Sequence, residues 1–227
     1  MLRTWEAHYR SVSCIVFSDD GSHAVSCSED SLIHVWSLGA LLDYGEGHLE
    51  APQPAVTWNQ HSLPVTSLVM GAGGAAARLF SASLDRTVRQ WHVPSGACLA
   101  VVQMPSPITC LALHPADHLL CAGGADGVIY SLDLLAPLPS ATGAAALATA
   151  QKYAGHSAAV LSLAMSVDGC TLVSGSRDGS ARVWDVPRFP PPWRPIPAPA
   201  LRDNPRWTCI TGDTRASLVA ARCVITQ

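Results

Sequence analysis

Four stretches of the chain are nearly unbroken apolar runs: SVSCIVFS, TSLVMG, ITCLALH and AVLSLAMS. Short runs of this kind, bounded by turn signals, predict strands buried on both faces. After each comes a turn such as DDGS or VDGC and a second strand. A turn holding an aspartate follows, then a third strand such as LIHVWSL. A fourth strand is clear only in CLAVVQ, after the PSG turn at 94–96.

The units align on their aspartates. SCSEDSLIHVWSL (26–38), SASLDRTVRQWHV (81–93), AGGADGVIYSLDL (122–134) and SGSRDGSARVWDV (174–186) share a small residue four before Asp and a strand after it. The aspartates are Asp30, Asp85, Asp126 and Asp178, with spacings of 55, 41 and 52 residues. The shortest spacing is one bare repeat, and the longer ones are repeats with insertions. Four antiparallel strands in units of about 40 to 45 residues are the dimensions of a β-propeller blade. The predicted fold is therefore all-β: an incomplete propeller over 1–186, with blades near 8–58, 61–103, 107–154 and 156–186.

Two insertions, 39–57 (with DYGEGHLEAPQP) and 135–151 (Ala and Pro), fall after a third strand and should project from one face. They are candidates for a shared binding rim, or equally for disordered decoration. Beyond Val186 the pattern stops. PRFPPPWRPIPAP places seven of the 17 prolines within thirteen residues, which no strand ladder tolerates. Residues 187–227 are expected to form an irregular Pro/Arg-rich tail.

Charge narrows the classes of partner. Residues 1–187 carry 8 basic and 15 acidic side chains, whereas 188–227 carry six Arg and two Asp. An acidic body lacks the clustered Lys and Arg that phosphate binding needs, so direct nucleic-acid binding is not expected. The tail arginines could touch rRNA, though an unpatterned linker explains them as well. The 8 cysteines (14, 27, 98, 110, 121, 170, 209, 223) form no C-x-x-C pair, and MLRTWEAHYR has no apolar signal core. They read as reduced thiols of an intracellular protein, most of them small core hydrophobes. The longest uncharged stretch, 134–151, is broken by Pro137, Pro139 and Gly143, and reads as a loop and not a membrane span.

Three units carry one polar set each: His8, Ser26, Asp30 and Trp36; His61, Ser81, Asp85 and Trp91; His156, Ser174, Asp178 and Trp184. A catalytic triad would need one set in one cleft, with an oxyanion hole. Three copies in three blades instead predict a buried structural relay, from indole to serine to imidazole to the carboxylate capping the turn. In the third blade Met104, Ala122 and Leu132 take the His, Ser and Trp positions and only Asp126 survives. That blade should pack by hydrophobic burial alone and be the softest. No catalytic, cofactor-binding or metal residue is assigned. His114 and His118 are four apart, but Pro115 blocks a helix between them. Gly71–Gly74 and Gly123-Gly124 lack the Lys-Ser/Thr ending of a phosphate loop. Pro192-x-x-Pro195 is not a complete polyproline ligand.

These sets, closed by the literal Trp184-Asp185 pair and by Trp36-Ser37 and Trp91-His92, resemble the WD40 family. More narrowly, HYRSVSCIVFSDDGSHAVS, HSLPVTSLVMGAGGAAARLFSASLDRTVRQW and LCAGGADGVIYSLDL are similar to the WD40 subunit of a nuclear complex that matures the large ribosomal subunit precursor. That resemblance implies a non-enzymatic scaffold in pre-60S maturation and rRNA processing, nuclear (nucleolus and nucleoplasm) and also cytoplasmic. Its implied partners are the proteins of a rixosome-type complex and the pre-60S particle, with no membrane and no cofactor. The alternative is another WD40 adaptor, such as a ubiquitin-ligase substrate receptor or a chromatin reader. The family has further repeats upstream, so MLRTWEAH reads as the last strand of a missing blade. Four blades of a ring of about seven would leave edges unpaired.

Overall fold

The computed structural model describes residues 4–43, 52–135 and 151–186, all inside the unit Met1–Val186. The tail after Val186 and the middles of both insertions lie outside the described residues. Blade 1 contains β1 (Val12–Phe17), β2 (His23–Ser28), β3 (Ile33–Ser37) and β4 (Val56–Trp58). Blade 2 contains β5 (Val65–Met70), β6 (Arg78–Ser83), β7 (Thr87–His92) and β8 (Ala97–Gln103). Blade 3 contains β9 (Ile108–Leu113), β10 (Leu119–Gly124), β11 (Val128–Asp133) and β12 (Gln151–Ala154). Blade 4 contains β13 (Val160–Met165), β14 (Thr171–Ser176) and β15 (Ala181–Asp185). Every sheet is an antiparallel meander in chain order, the arrangement of four propeller blades.

Three expectations need correction. Fourth strands exist in three blades, not one; β4 and β12 were hidden because the insertions separate them from the strands they pair with. The first insertion is accordingly shorter than 39–57, and it opens with a six-residue helix, α1 (Leu38–Asp43). Thr4–His8 is not a strand, because no neighbouring ladder among the described residues pairs with it.

The Asp turns explain why the blades close alike. In each, a backbone bond runs from the residue after Asp back to the residue two before it: Ser31 to Ser28, Arg86 to Ser83, Gly127 to Gly124 and Gly179 to Ser176. The donor residue is left-handed every time, with φ of 70°, 64°, 82° and 80°. A type I turn followed by one left-handed residue is a favoured hairpin closure, and its twist suits the flanking strands. Asp-Gly supplies that conformation without steric cost at 126–127 and 178–179.

The core lies between blades. Val25, Cys27, Ile33 and Val35 of blade 1 pack against Val65, Leu68, Leu79 and Trp91 of blade 2. Phe80, Val88 and Val102 of blade 2 meet Ile108, Leu111 and Leu120 of blade 3. Cys110, Cys121 and Ile129 of blade 3 meet Val160 and Leu172 of blade 4. Each inner blade is therefore apolar on both faces, as the unbroken runs predict. Polar bolts cross the second and third of these seams: Thr66 donates to the Ile108 carbonyl at 2.8 Å, and Thr109 makes the equivalent bond to Val160. All six described cysteines are free, and burial pushes the Cys121 thiol up to about 12. Such a thiol is packing material, not a nucleophile.

Candidate functional site

The repeated polar sets assemble blade by blade. The serine sits on the second strand, the tryptophan on the third, the aspartate in the turn joining them, and the histidine just before the first strand. Trp36, Trp91 and Trp184 donate their indole N–H to Ser26, Ser81 and Ser174 at 2.9, 2.8 and 2.8 Å. The serine hydroxyls meet Nε2 of His8, His61 and His156 at 2.8, 2.7 and 2.7 Å. Nδ1 of the same rings meets Asp30, Asp85 and Asp178 at 3.1, 2.8 and 3.0 Å. With the serine accepting from the indole, the consistent arrangement has its hydroxyl donating to Nε2 and Nδ1–H donating to the carboxylate.

Each carboxylate is also a backbone clamp. One oxygen accepts the N–H of the residue after the histidine (Tyr9, Ser62 and Ser157), and the other accepts the N–H two residues beyond itself (Leu32, Thr87 and Ser180). The hydroxyls of Thr87 and Ser180 add a further bond at 2.6 Å each. Burial alone would raise the Asp85 pKa, but the bonds from His61 and Thr87 outweigh it and hold the carboxyl well below the usual range. For Asp178 the Ser180 hydroxyl is the leading cause of a shift in the same direction. In Asp30, burial is opposed by the Leu32 and Tyr9 N–H groups and by His8, and the net shift is again downward.

This geometry is poorly suited to nucleophilic attack. Each serine is buried, with its oxygen already shared between an indole and an imidazole. No cluster of three or more metal-ligating side chains occurs among the described residues. The His114 and His118 rings lie 3.8 Å apart between centroids, tilted by 47°, and among the described residues no third ligand joins them.

Three features escaped the sequence reading. A second serine, two before each aspartate, accepts the aspartate N–H and ties the turn back to the strand entry: Ser28 to the Arg10 carbonyl, Ser83 to Leu63, Ser176 to Ala158. Its signal was the recurring S-x-D of SED, SLD and SRD. An aromatic three before each histidine packs on the tryptophan of the following set: Trp5 on Trp36, Trp58 on Trp91 and Tyr153 on Trp184, at 5.5, 4.7 and 5.8 Å. Trp58 also donates to the Gly96 carbonyl at 2.8 Å, so it staples blade 1 to blade 2. In blade 3, Met104, Ala122 and Leu132 are buried apolar residues, but packing is not the whole account: the Tyr130 hydroxyl donates to Asp126. One Tyr-Asp bond stands where the other blades place a relay.

The insertions follow the third strands of blades 1 and 3, where blade 2 has only the tight Val93–Gly96 turn. The described end of the first insertion, with Pro52 and Pro54, lines a groove of about 410 Å³ together with His8, His34 and Trp36.

Blades, relays and turns together define a class of protein: the chain belongs to the WD40 family, a family of non-catalytic scaffolds that bind protein partners. The family description "WD domain, G-beta repeat" matches residues 1–37, 52–92, 96–131 and 148–185. Among curated proteins, WD repeat-containing protein 18 of Rattus norvegicus is 40% identical over 181 residues, covering 79% of this chain and 42% of that protein. Protein ROOT INITIATION DEFECTIVE 3 of Arabidopsis thaliana is 38% identical over 185 residues, covering 82% and 41%. Pre-rRNA-processing protein IPI3 of Yarrowia lipolytica is 35% identical over 193 residues, covering 80% and 44%. The chain thus spans about four tenths of the length of these relatives. A chain in a crystal structure of the Mitotic Checkpoint Complex superposes with a TM-score of 0.64 at 19% identity, covering 79% of this chain and 50% of that one, and shares the fold alone.

Proposed function

We propose that this chain is a non-enzymatic scaffold in maturation of the large ribosomal subunit precursor and in rRNA processing. The observation that carries the reading is identity of 35% or more across about 80% of the chain to proteins named WD repeat-containing protein 18 and pre-rRNA-processing protein IPI3. The family match falls on the blades themselves, and the relatives align over about 80% of the chain. In this reading the polar sets His8/Ser26/Asp30/Trp36, His61/Ser81/Asp85/Trp91 and His156/Ser174/Asp178/Trp184 hold the blades, and partners bind elsewhere on them. The partners are proteins of a rixosome-type assembly on the pre-60S particle, and the site of action is the nucleolus and nucleoplasm. Fold alone does not favour this over another WD40 adaptor; the names of the relatives are what support it.

Sedimentation tests it. The tagged full chain, expressed in cells and run on a sucrose gradient, should travel with pre-60S particles and leave those fractions when nascent rRNA synthesis is blocked. A chain found only among free proteins would overturn the assignment.

A further inference from the structure

The turns joining the first and second strands lie at the end of the blades away from the relays, the end from which both insertions leave. In blades 1, 3 and 4 that turn has five residues (18–22, 114–118 and 166–170), but in blade 2 it has seven (71–77, GAGGAAA). The extra length reaches sideways. Asp19 of blade 1 accepts the Gly73 N–H at 3.0 Å with one carboxylate oxygen and the Gly74 N–H with the other. From the opposite side, Asp117 of blade 3 accepts the Ala72 N–H at 3.0 Å. The Gly73 and Gly74 N–H groups hold the Asp19 carboxyl below the usual range. The glycines follow from this grip. A Cβ at Gly71 would run into the Asp117 carboxylate and one at Gly74 into that of Asp20, while Gly73 is left-handed at φ 117°.

The same turns hold the roots of the insertions. At the root of the first, the Leu38 N–H donates to the Ser22 carbonyl at 2.9 Å, in the turn that carries Asp19. At the root of the second, the Leu134 N–H donates to the His118 carbonyl at 2.8 Å, beside Asp117. Arg78, which follows the blade 2 turn, donates to the Asp117 and Leu134 carbonyls. Hydrogen bonds and turn backbone therefore connect Leu38 to Leu134 across three blades, and the connection runs through residues 71–78. No bond in it belongs to a relay.

We propose that the 71–77 loop is a clasp that fixes the two insertion roots relative to each other, so that both insertions are presented as one rim. Coupling between separate segments needs a contiguous physical network, and this one lies at the surface, with Asp19, Ala72 and Gly73 exposed. How the rim is presented does not depend on which partner meets it.

Nitroxides attached to p-acetylphenylalanine introduced at Leu42 and at Leu135, both exposed, report the distance between the roots by double electron–electron resonance on the full chain. Without further substitution the chain should give one narrow distance distribution. Asp19→Ala with Asp117→Ala removes the carboxylate bonds to Ala72, Gly73 and Gly74 and should roughly double the width, with circular dichroism unchanged. Asp19→Ala alone, at an exposed position that folding does not need, should widen it by a smaller amount. Ser81→Ala loosens blade 2 from the relay end and should leave the width as it was. A broad distribution before any aspartate is replaced overturns the proposal, as does an unchanged width in both aspartate variants. Equal widening in Ser81→Ala also overturns it, because the spacing would then depend on the firmness of blade 2 as a whole and not on the clasp.

Discussion

At the scale of residues, the serine is the point on which each relay turns. Ser81→Ala leaves the Trp91 indole and His61 Nε2 buried and unpaired, which should cost about 1–3 kcal/mol in urea unfolding. The same substitution at Ser95, an exposed turn serine bonded to His92, should cost under about 0.5 kcal/mol. Asp85 adds a pH signature. Its folded pKa lies below the ordinary aspartate value of about 3.8, so its stabilisation is fully present above that value and is lost as pH falls through the folded pKa. Asp85→Asn should therefore lower stability at pH 7 and flatten the acid limb of the stability profile below about pH 4. Equal slopes in the two proteins would show that the carboxylate is not clamped. The turn glycines separate strain from space. Gly127 and Gly179 share a left-handed backbone, but a Cβ at Gly127 would meet the His156 carbonyl at 2.6 Å, whereas Gly179 faces open space. Gly127→Ala should be the more destabilising of the two, Gly179→Ala costing only the left-handed penalty of about 1–2 kcal/mol.

At the scale of elements, the blades differ in how completely they are wrapped. All six residues of β10 are buried, although its blade lacks the relay, while β15 alternates exposed and half-buried positions and has no outer strand among the described residues. Burial on both sides thus reverses the expectation that the third blade is softest. Amide hydrogen exchange should find β10 among the last strands to exchange and β15 among the first. Trp58→Ala removes an aromatic stack and a bond to the next blade, and should cost about 3–5 kcal/mol, measured by thermal unfolding. What the sequence made legible follows from the range of each interaction. The unbroken runs and Asp turns are local, so the first three strands of every blade, the relays and the apolar substitutes in blade 3 could all be read from spacing. β4 and β12 could not, because each pairs across an insertion, and β4 is only three residues long. The stapling aromatics recur three before each histidine, but their partners were hidden: the Trp58 partner, Trp91, lies 33 residues away in another blade. Tyr130 looked like an ordinary strand residue until the turn brought Asp126 to its hydroxyl.

At the scale of the whole molecule, three seams of apolar face on apolar face, two of them crossed by threonine bolts and two by aromatic staples, make a surface-presenting body with its polar chemistry spent internally. A scaffold of this kind works through what it holds, and substitutions inside a relay should change how firmly it holds without changing what it holds. The direct measurement is quantitative affinity capture from nuclear extract with the full chain and with Ser174→Ala. It should be made at a temperature where the circular dichroism of the two proteins coincides. The account predicts the same set of ribosome-assembly proteins on both. Absence of ribosome-assembly proteins from the wild-type capture, or their loss from a folded Ser174→Ala chain, would contradict it.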